Sequence, residues 1–282
     1  MPIRDALLPL FSSRTLGHVG SLAMLFGVYS LLAVWKEYST FKNIGDVPSD
    51  LHAAFSVVVG WLLVFRTNTA YNRWWEARSL WGGLVNASRN MALKLSRLVR
   101  LPASELVEVQ QLLQAFPFAL KDHLRSEENS ELMTGLNIDN TSKHMPSFIA
   151  ARLYEKVSHW KSIGVIDGDE LRVIDSDLSK YMDICGACEK ILKTPIVRSY
   201  RHFTRQCVLL LLLTFPWGIV SDFLWWTIPM TIITAYFMLG LETVAEHVEE
   251  PFGRDDDDLD LDSLCATIEK SVGEIIKPKL QT

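Results

Sequence analysis

Four stretches without Asp, Glu, Lys or Arg divide the chain into apolar and polar blocks. Thr15–Trp35, with 21 residues, and Phe223–Leu241, with 19, are each long enough to cross a hydrocarbon core of about 30 Å as a helix. Leu51–Phe65, with 15 residues, and Gln206–Ser221, with 16, are short for spans that face lipid. They suffice if their polar ends reach the headgroups or line a wet interior. The pattern predicts two clear transmembrane helices and two short candidate spans.

Composition favours a membrane protein over a soluble protein with buried core helices. Hydrophobic residues make up 49% of the chain and charged residues 22%, which fits apolar blocks joined to an ordinary polar part. The first apolar stretch lacks a small-residue cleavage pattern and is too long for a signal peptide, so we expect it to be retained. Indole rings prefer the membrane interface, and five tryptophans lie near the ends of the four stretches. They are Trp35, Trp61, Trp217, Trp225 and Trp226.

The polar middle of the chain predicts further helices. Three segments combine good helix formers with apolar residues at helical spacing, namely 84–125, 147–162 and 168–193. A polar, turn-rich loop is expected at 126–145, and Asp167 or Asp169 is placed to cap the helix that follows. No alternation of the strand type competes with these helices. The fold class is therefore predicted to be all-α, with a cytoplasmic helical bundle between the spans.

The asymmetry of charge predicts the topology. Residues 66–100 hold seven basic residues against one acidic residue, whereas the connection at 216–229 has no Lys or Arg. By the positive-inside rule, both termini and the long 66–205 region are cytoplasmic, and the protein lies in the inner membrane. Residues 1–100 carry a net charge of +6 and residues 241–282 carry −8. The basic N-terminal part suits contact with an anionic leaflet, and the acidic tail avoids one. Nucleic acid is a poor fit as a partner.

Enzyme motifs are not found in the sequence. It contains no Gly-rich phosphate loop and no Ser/His/Asp constellation, so we predict that the protein is not an enzyme. The four cysteines form no secreted-type framework. Cys185 and Cys188 form a lone CxxC, which is weak evidence for a zinc or redox site without a second pair.

Three segments carry candidate chemistry, and each has a simpler alternative. The segment 65–78, Phe-Arg-Thr-Asn-Thr-Ala-Tyr-Asn-Arg-Trp-Trp-Glu-Ala-Arg, is either an interfacial anchor or a helix that lines a wet path. The segment 193–200 contains Pro195, which would break or kink a helix there. The simpler alternative is that the chain only changes direction between the soluble bundle and the membrane. The segment 240–258 is rich in carboxylates, which suit a hard cation such as Ca²⁺ or form a solvated acidic run.

Together these segments resemble the bestrophin family, in its bacterial and plant-chloroplast branch, over essentially the whole chain. The 65–78 segment looks like the signature at the end of the family's second transmembrane helix. Glu-Glu-Pro-Phe-Gly-Arg-Asp-Asp-Asp-Asp at 249–258 looks like its acidic motif after the membrane. The resemblance implies a homopentamer with four transmembrane helices per subunit around one central pore.

The same resemblance implies how the chain is divided. Residues 1–100 would hold an N-terminal cytoplasmic helix, the first two spans and the pore-lining helix. Residues 101–205 would form the cytoplasmic helical region, residues 206–245 the third and fourth spans, and residues 246–282 the acidic turn and C-terminal tail.

The resemblance also implies two constrictions. The apolar pore neck would be Val57, Trp61 and Phe65, whose i, i+4, i+8 spacing places them on one face of the second span. Rings of apolar side chains gate by excluding water. A second constriction would be at Ile196, although Val197 stands where the family has Pro. The parallel stripe Ser56, Gly60 and Val64 is the competing pore face.

For the acidic motif, the resemblance implies the candidate Ca²⁺ ligands His247, Glu250, Asp255 and Asp258. His247 replaces an amide and Glu250 replaces an Asn of the animal pattern, so Ca²⁺ gating stays open. No cofactor is expected to be required.

The expected function is passive conduction of inorganic anions, chloride above all, across the lipid bilayer. A sodium-permeable channel is the nearest alternative, because an acidic vestibule favours cations. Two alternatives of other classes are a membrane-bound metalloprotein that uses Glu246, His247 and the Asp run, and a non-conducting scaffold. The carboxylates lack the paired Glu-x-x-His spacing of a di-iron bundle.

Overall fold

The computed structural model describes residues 14–42, 48–127, 144–255 and 257–280. In these ranges the chain is all-helical and forms no strand, as the sequence predicts. The helices are α1 (Arg14–Glu37), α2 (Ser49–Arg97), α3 (Ala103–Arg125), α4 (Met145–Ser162), α5 (Gly168–Lys193), α6 (Arg198–Phe223), α7 (Thr227–Glu249) and α8 (Leu261–Leu280). A 3₁₀ turn, Leu224–Trp226, joins α6 to α7.

Three helical runs are long and apolar enough to cross a membrane: Leu16–Glu37, Ser49–Arg97 and Arg198–Glu249. The third run contains both α6 and α7. Leu224 ends α6 with a φ of 49°, a conformation that is uncommon for a residue with a side chain and that sharply redirects the chain. All four apolar stretches of the sequence therefore lie in long helices.

Two compact units make up the chain. Unit 1 comprises Met1–Asn72 and Pro195–Glu249, and unit 2 comprises Arg73–Thr194 and Glu250–Thr282. Unit 1 thus contains α1, α6, α7 and the part of α2 up to Asn72, and unit 2 contains the rest of α2 with α3, α4, α5 and α8. Each unit takes in two separated parts of the chain, and the division into four segments stays a prediction.

Unit 1 packs through small residues and branched aliphatic side chains. Helix α7 packs against α1 and α6. Gly27 of α1 faces Ile232 of α7 so closely that a Cβ at position 27 would overlap the Ile232 side chain. Small residues allow helix backbones to approach within a membrane, where burial of apolar surface from water cannot drive association. A buried cluster consists of Ala23, Val59, Leu63, Val208, Leu211, Leu212 and Ala235.

Unit 2 has the core of an ordinary soluble helical bundle. Helix α3 packs against α4, α5 and α8. Phe116 and Tyr181 meet edge to face with ring centroids 4.8 Å apart, and the Tyr181 hydroxyl donates to Ser88 Oγ at 3.0 Å. Both aromatic side chains are fully buried, so the hydroxyl has its polar partner inside the core.

Most predicted helices of the middle region are confirmed. Helix α5 begins at Gly168, and Asp167 caps it by accepting from the backbone N–H of Glu170, whose side chain accepts from Asp167 N. Helix α5 ends at Lys193, so Pro195 does separate two helices. The continuous helix predicted over 84–125 is wrong, because α2 ends at Arg97 and α3 begins after Pro102, whose ψ of 151° is extended. The N-terminal cytoplasmic helix expected before residue 14 and most of the loop at 126–145 lie outside the described residues.

Candidate functional site

The three residues expected to form the pore neck share an exposed face of α2. Val57, Trp61 and Phe65 are 63%, 68% and 57% exposed in the single subunit. The rings of Trp61 and Phe65 contact each other edge to face, with centroids 6.1 Å apart. Beyond Phe65 the exposed face becomes polar at Asn68 and Asn72. An apolar stripe that turns polar within unit 1 matches what a dry constriction opening into water requires.

The competing stripe is less open. Ser56 and Gly60 are half-buried, and the Ser56 hydroxyl donates to the carbonyl of His52 at 2.8 Å, while Val64 is exposed. Large exposed apolar side chains also occur on α1 and α7, for example Trp35 and Phe237. Exposure alone therefore does not distinguish a pore face from a lipid face or a subunit interface, and both stripes stay predictions.

Ile196, the expected second constriction, is held by its backbone. Its N–H donates to Glu249 Oε1 at 3.1 Å. The same oxygen accepts from Arg201 Nη2 at 2.7 Å. The side chain of Ile196 is half-buried. The position of residue 196 in unit 1 is thus tied to the C-terminal end of α7 through a carboxylate.

Glu249 belongs to a network of three arginines and three glutamates within unit 1. The fully buried Arg66 on α2 pairs with Glu242 at 2.5 Å and approaches Glu249 at 4.0 Å. Arg205 on α6 pairs with Glu242 at 2.8 Å and with Glu246 at 2.5 Å. The formal charges sum to zero, which is what a charge cluster in an apolar unit requires. The network joins α2, α6 and α7.

The network gives the glutamates of α7 partners within the protein. Glu242, Glu246 and Glu249 do share one face of α7, but the structure pairs each of them with an arginine. The sequence does contain the complementary spacing, since Arg201 and Arg205 lie one helical turn apart on α6. The two charge patterns are complementary, but their spacing does not show which arginine pairs with which glutamate, and it does not include Arg66.

The Arg-Trp-Trp motif anchors backbone within unit 2. Arg73 donates from Nη2 to the carbonyl of Ile191 at 2.7 Å and from Nη1 to that of Thr194 at 2.5 Å. These carbonyls lie at the C-terminal end of α5, where backbone acceptors have no helical partner. Trp74 donates from Nε1 to the carbonyl of Asp257 at 3.1 Å. In unit 2 the motif therefore positions both the end of α5 and the acidic turn.

The acidic turn is folded around its own backbone. Asp258 Oδ2 accepts from Asp255 N at 2.6 Å, and Asp258 N donates to the Asp255 carbonyl at 3.1 Å. Glu250 is exposed, and its carbonyl accepts from Gly253 N at 3.4 Å. A Cβ at Gly253 would lie only 2.6 Å from Asp258 Oδ2, so a side chain there would displace the carboxylate that accepts from Asp255 N.

Basic side chains surround the same turn. A cavity of about 380 Å³ is lined by basic residues and by four aspartates, Asp255, Asp258, Asp260 and Asp262. The basic residues are Lys121, Arg125 and Arg254. Of the four Ca²⁺ ligands implied by the family, Glu250, Asp255 and Asp258 lie in unit 2 and His247 lies in unit 1. Asp256 lies outside the described residues.

The CxxC cysteines are core residues. Cys185 and Cys188 are free and buried in the core of unit 2. Burial raises the pKa of each thiol to about 12. Both thiols are therefore protonated at neutral pH, which disfavours the redox or metal role that the sequence left open, since metals and oxidants react with thiolates.

Long apolar helices, small-residue helix contacts and a neutralised charge cluster define an α-helical membrane protein. Residues 3–274 match the family model described as "Bacterial/Fungal Bestrophin protein", and the chain belongs to this family.

Curated relatives carry channel names. A protein of Nostoc sp. named as voltage-dependent anion channel-forming is 34% identical, over 78% of this chain and 75% of that protein. A protein of Mesorhizobium japonicum with the same designation is 30% identical, over 93% and 85%. A chloroplastic protein of Arabidopsis thaliana named voltage-dependent chloride channel 2 is 28% identical, over 77% and 54%.

Solved structures share the fold. The crystal structure of a point variant of a bacterial bestrophin homologue from Klebsiella pneumoniae matches with a TM-score of 0.82 at 21% identity, over 92% of this chain and 97% of that one. A further crystal structure, of a point variant described only as a membrane protein, matches with a TM-score of 0.84 at 22% identity, over 90% and 97%.

Proposed function

We propose that the chain forms a homopentameric channel that conducts chloride passively through the inner membrane. Helices α1, α2, α6 and α7 would each cross the bilayer, with both termini in the cytoplasm. The observation that carries the proposal is the exposed apolar stripe of Val57, Trp61 and Phe65 in a member of this family. The anion-channel names of the relatives support the choice of ion.

Five copies of the stripe around one axis would form three stacked apolar rings. At 1.5 Å per residue, an i to i+8 separation gives a neck roughly 12 Å long. A narrow apolar neck of this kind excludes water when closed. Aromatic ring edges carry partial positive charge and the Trp61 indole N–H is a hydrogen-bond donor, so both aromatic layers favour an anion over a cation.

Ile196 would form the second constriction, with Glu249 as its positioning residue. Removing the Glu249 carboxylate releases the Ile196 N–H and Arg201 together. If the two residues act as one unit, then Ile196→Ala and Glu249→Leu, which has no side-chain acceptor, will alter single-channel conductance non-additively. Additive effects on conductance would show that the carboxylate does not act through residue 196.

Reconstituted planar bilayers with asymmetric NaCl test the permeant ion. We expect currents to reverse near the chloride equilibrium potential. Reversal near the sodium potential would establish the cation channel instead, and the absence of current at all voltages would support the non-conducting scaffold. The mass of the detergent-solubilised particle, corrected for bound detergent, tests for five subunits.

A substitution pair tests the neck. Trp61→Ala removes a large ring from the proposed constriction and is expected to increase single-channel conductance, because the dry segment widens. Trp35→Ala is the matched control, since Trp35 on α1 is 66% exposed and Trp61 is 68% exposed. Equal conductance in both variants and wild type would exclude Trp61 from the narrow part of the pore.

We propose no required cofactor for conduction, and Ca²⁺ at the acidic turn stays a prediction of the family resemblance. Titration of Ca²⁺ onto chelator-treated channels in bilayers tests it. Open probability that rises with Ca²⁺ and no longer responds in Asp258→Asn would establish the ion as a gating ligand. A flat response in the wild type would assign the turn a structural role alone.

A further inference from the structure

Two histidines and one glutamate converge in unit 2. His123 lies in the last turn of α3, His144 precedes α4 as its N-cap, and Glu189 lies on α5. The Nε2 atoms of both histidines lie 2.7 Å from one carboxylate oxygen, Glu189 Oε1. The two imidazole rings are 4.3 Å apart between centroids.

This group is distinguished by the mutual proximity of its donor atoms. One atom from each of the three side chains lies within 4.8 Å of the other two, and no other trio of His, Cys, Asp or Glu within the described ranges does so. All three side chains are half-buried. The cluster is therefore shielded from bulk water on part of its surface and reachable by an ion from the rest.

The spacing of the donor atoms is close to that of a zinc site. Bond lengths of 2.0–2.2 Å at tetrahedral angles place neighbouring ligand atoms roughly 3.3 Å apart. Each 2.7 Å nitrogen–oxygen separation would open by roughly 0.6 Å, which small side-chain rotations provide. Three different helical elements hold the ligands, so a bound ion would join the end of α3, the start of α4 and α5.

We propose that His123, His144 and Glu189 form a binding site for a borderline-soft divalent cation such as Zn²⁺. Two imidazole nitrogens and one carboxylate oxygen are ligands that Zn²⁺ takes together, with water in the remaining position. Ca²⁺ and Mg²⁺ prefer oxygen ligands alone and would bind poorly here. The ion would take the place of the two hydrogen bonds that join the histidines to Glu189 Oε1.

Two neighbours weaken the binding. Ser147 N donates to His144 Nδ1 at 3.1 Å, and coordination through Nε2 requires a proton on Nδ1, so this hydrogen bond must be given up. Its loss lowers affinity by about fivefold. Lys193 Nζ lies 2.9 Å from Glu189 Oε2 and brings a positive charge beside the ion. Because Lys193 is exposed, replacing it removes the competitor without disturbing the core.

The test uses the full-length protein in detergent, stripped with a chelator and titrated with Zn²⁺ by calorimetry and with Co²⁺ by visible absorption. We expect one ion per subunit and a Co²⁺ spectrum of low coordination number. His123→Gln and Glu189→Gln should abolish this event while the helical circular dichroism is retained. Lys193→Met should tighten binding by about two- to fivefold.

Matched controls separate this site from other ligands in the chain. His159→Ala removes an exposed histidine of α4, and the double variant Asp255→Asn with Asp258→Asn removes carboxylates of the acidic turn. Both should bind as the wild type does. Absence of binding in the wild type, binding that survives His123→Gln and Glu189→Gln, or loss of binding in either control would overturn the proposal. An unchanged affinity in Lys193→Met would also contradict it, because an ion bound to Glu189 should bind more tightly once the positive charge of Lys193 is removed.

Discussion

Units 1 and 2 both bury charged side chains, but they differ in whether the cation of the pair is buried. In unit 1, Arg66 and its partners Glu242 and Glu249 are all buried. In unit 2, Asp177 is buried, but its partners Lys94 and Lys180 extend to the surface. The charge of Arg66 thus depends wholly on its partners, whereas the two lysines keep contact with solvent. The consequence is a different cost when one partner is removed.

The largest effect is expected for Arg66→Met. The substitution leaves Glu242 with Arg205 alone and removes the cation beside Glu249, and breaking a buried ion pair costs about 3–5 kcal/mol. We expect loss of the assembled protein or a large drop in its melting temperature, measured by fluorescence-detected size exclusion after heating. Lys190→Met, which removes an exposed pair with Glu76 in unit 2, is the control and should cost about 0–1 kcal/mol. Equal melting temperatures for the two variants would refute the contrast between the units.

Asp177→Asn is expected to have a smaller effect. Burial alone would raise the pKa of Asp177, but hydrogen bonds from Lys180 and Lys94 outweigh it and lower the pKa. A lowered folded-state pKa contributes stability that is present above the unfolded value of about 3.9 and is lost as the pH falls through the folded value. The variant should cost about 1–3 kcal/mol at pH 7 and lose less stability than the wild type on acidification below about pH 4.

The buried thiols of unit 2 make this prediction measurable. Cys185, Cys188 and Cys265 lie in its core, so their labelling reports opening of that unit. Labelling by a dithiodipyridine reagent, which reacts with thiols at acidic pH, would be followed in wild type and Asp177→Asn. Parallel pH dependences would show that Asp177 does not contribute to the acid sensitivity of the unit.

Gly27→Ala tests packing within unit 1 without changing any charge. The added Cβ would overlap Ile232, and overpacking of this kind costs about 1–3 kcal/mol. Gly20→Ala is the matched control on the same helix, because a Cβ there meets nothing within 4 Å. The control should be neutral or stabilising by up to about 1 kcal/mol, since alanine favours helix more than glycine does. Thermal unfolding in detergent compares them, and equal stability would mean that α1 and α7 can move apart at little cost.

Local sequence patterns predicted much of the fold, but they did not predict which residues pair across long distances in the sequence. Asp167 and Glu170 lie three positions apart, so the start of α5 could be identified from the sequence. The break before α3 was also available, since Pro102 has the conformation of a residue outside a helix. The apolar pattern continues on both sides of Pro102 and, taken alone, predicts one helix where the structure has two.

The partners in the charged network could not be chosen from local spacing alone. Arg66 and Glu242 are 176 positions apart, and Arg205 and Glu242 are 37 apart. The spacing of the glutamates correctly indicated one helix face, but it is equally compatible with cation binding and with arginine pairing. His123, His144 and Glu189 show the same limit, because each lies at or near the end of a different helix and only the packing of the helices brings them together.

The bond between Glu249 and the backbone N–H of Ile196 has a consequence for how this channel can be varied. Every residue except proline offers the same N–H. The side chain at position 196 can therefore be exchanged without losing its attachment to α7. If Ile196 forms the proposed second constriction, residue 196 would set its width and Glu249 would set its location. A series of substitutions at position 196 would then vary the width of the constriction while the backbone of residue 196 stays bonded to Glu249.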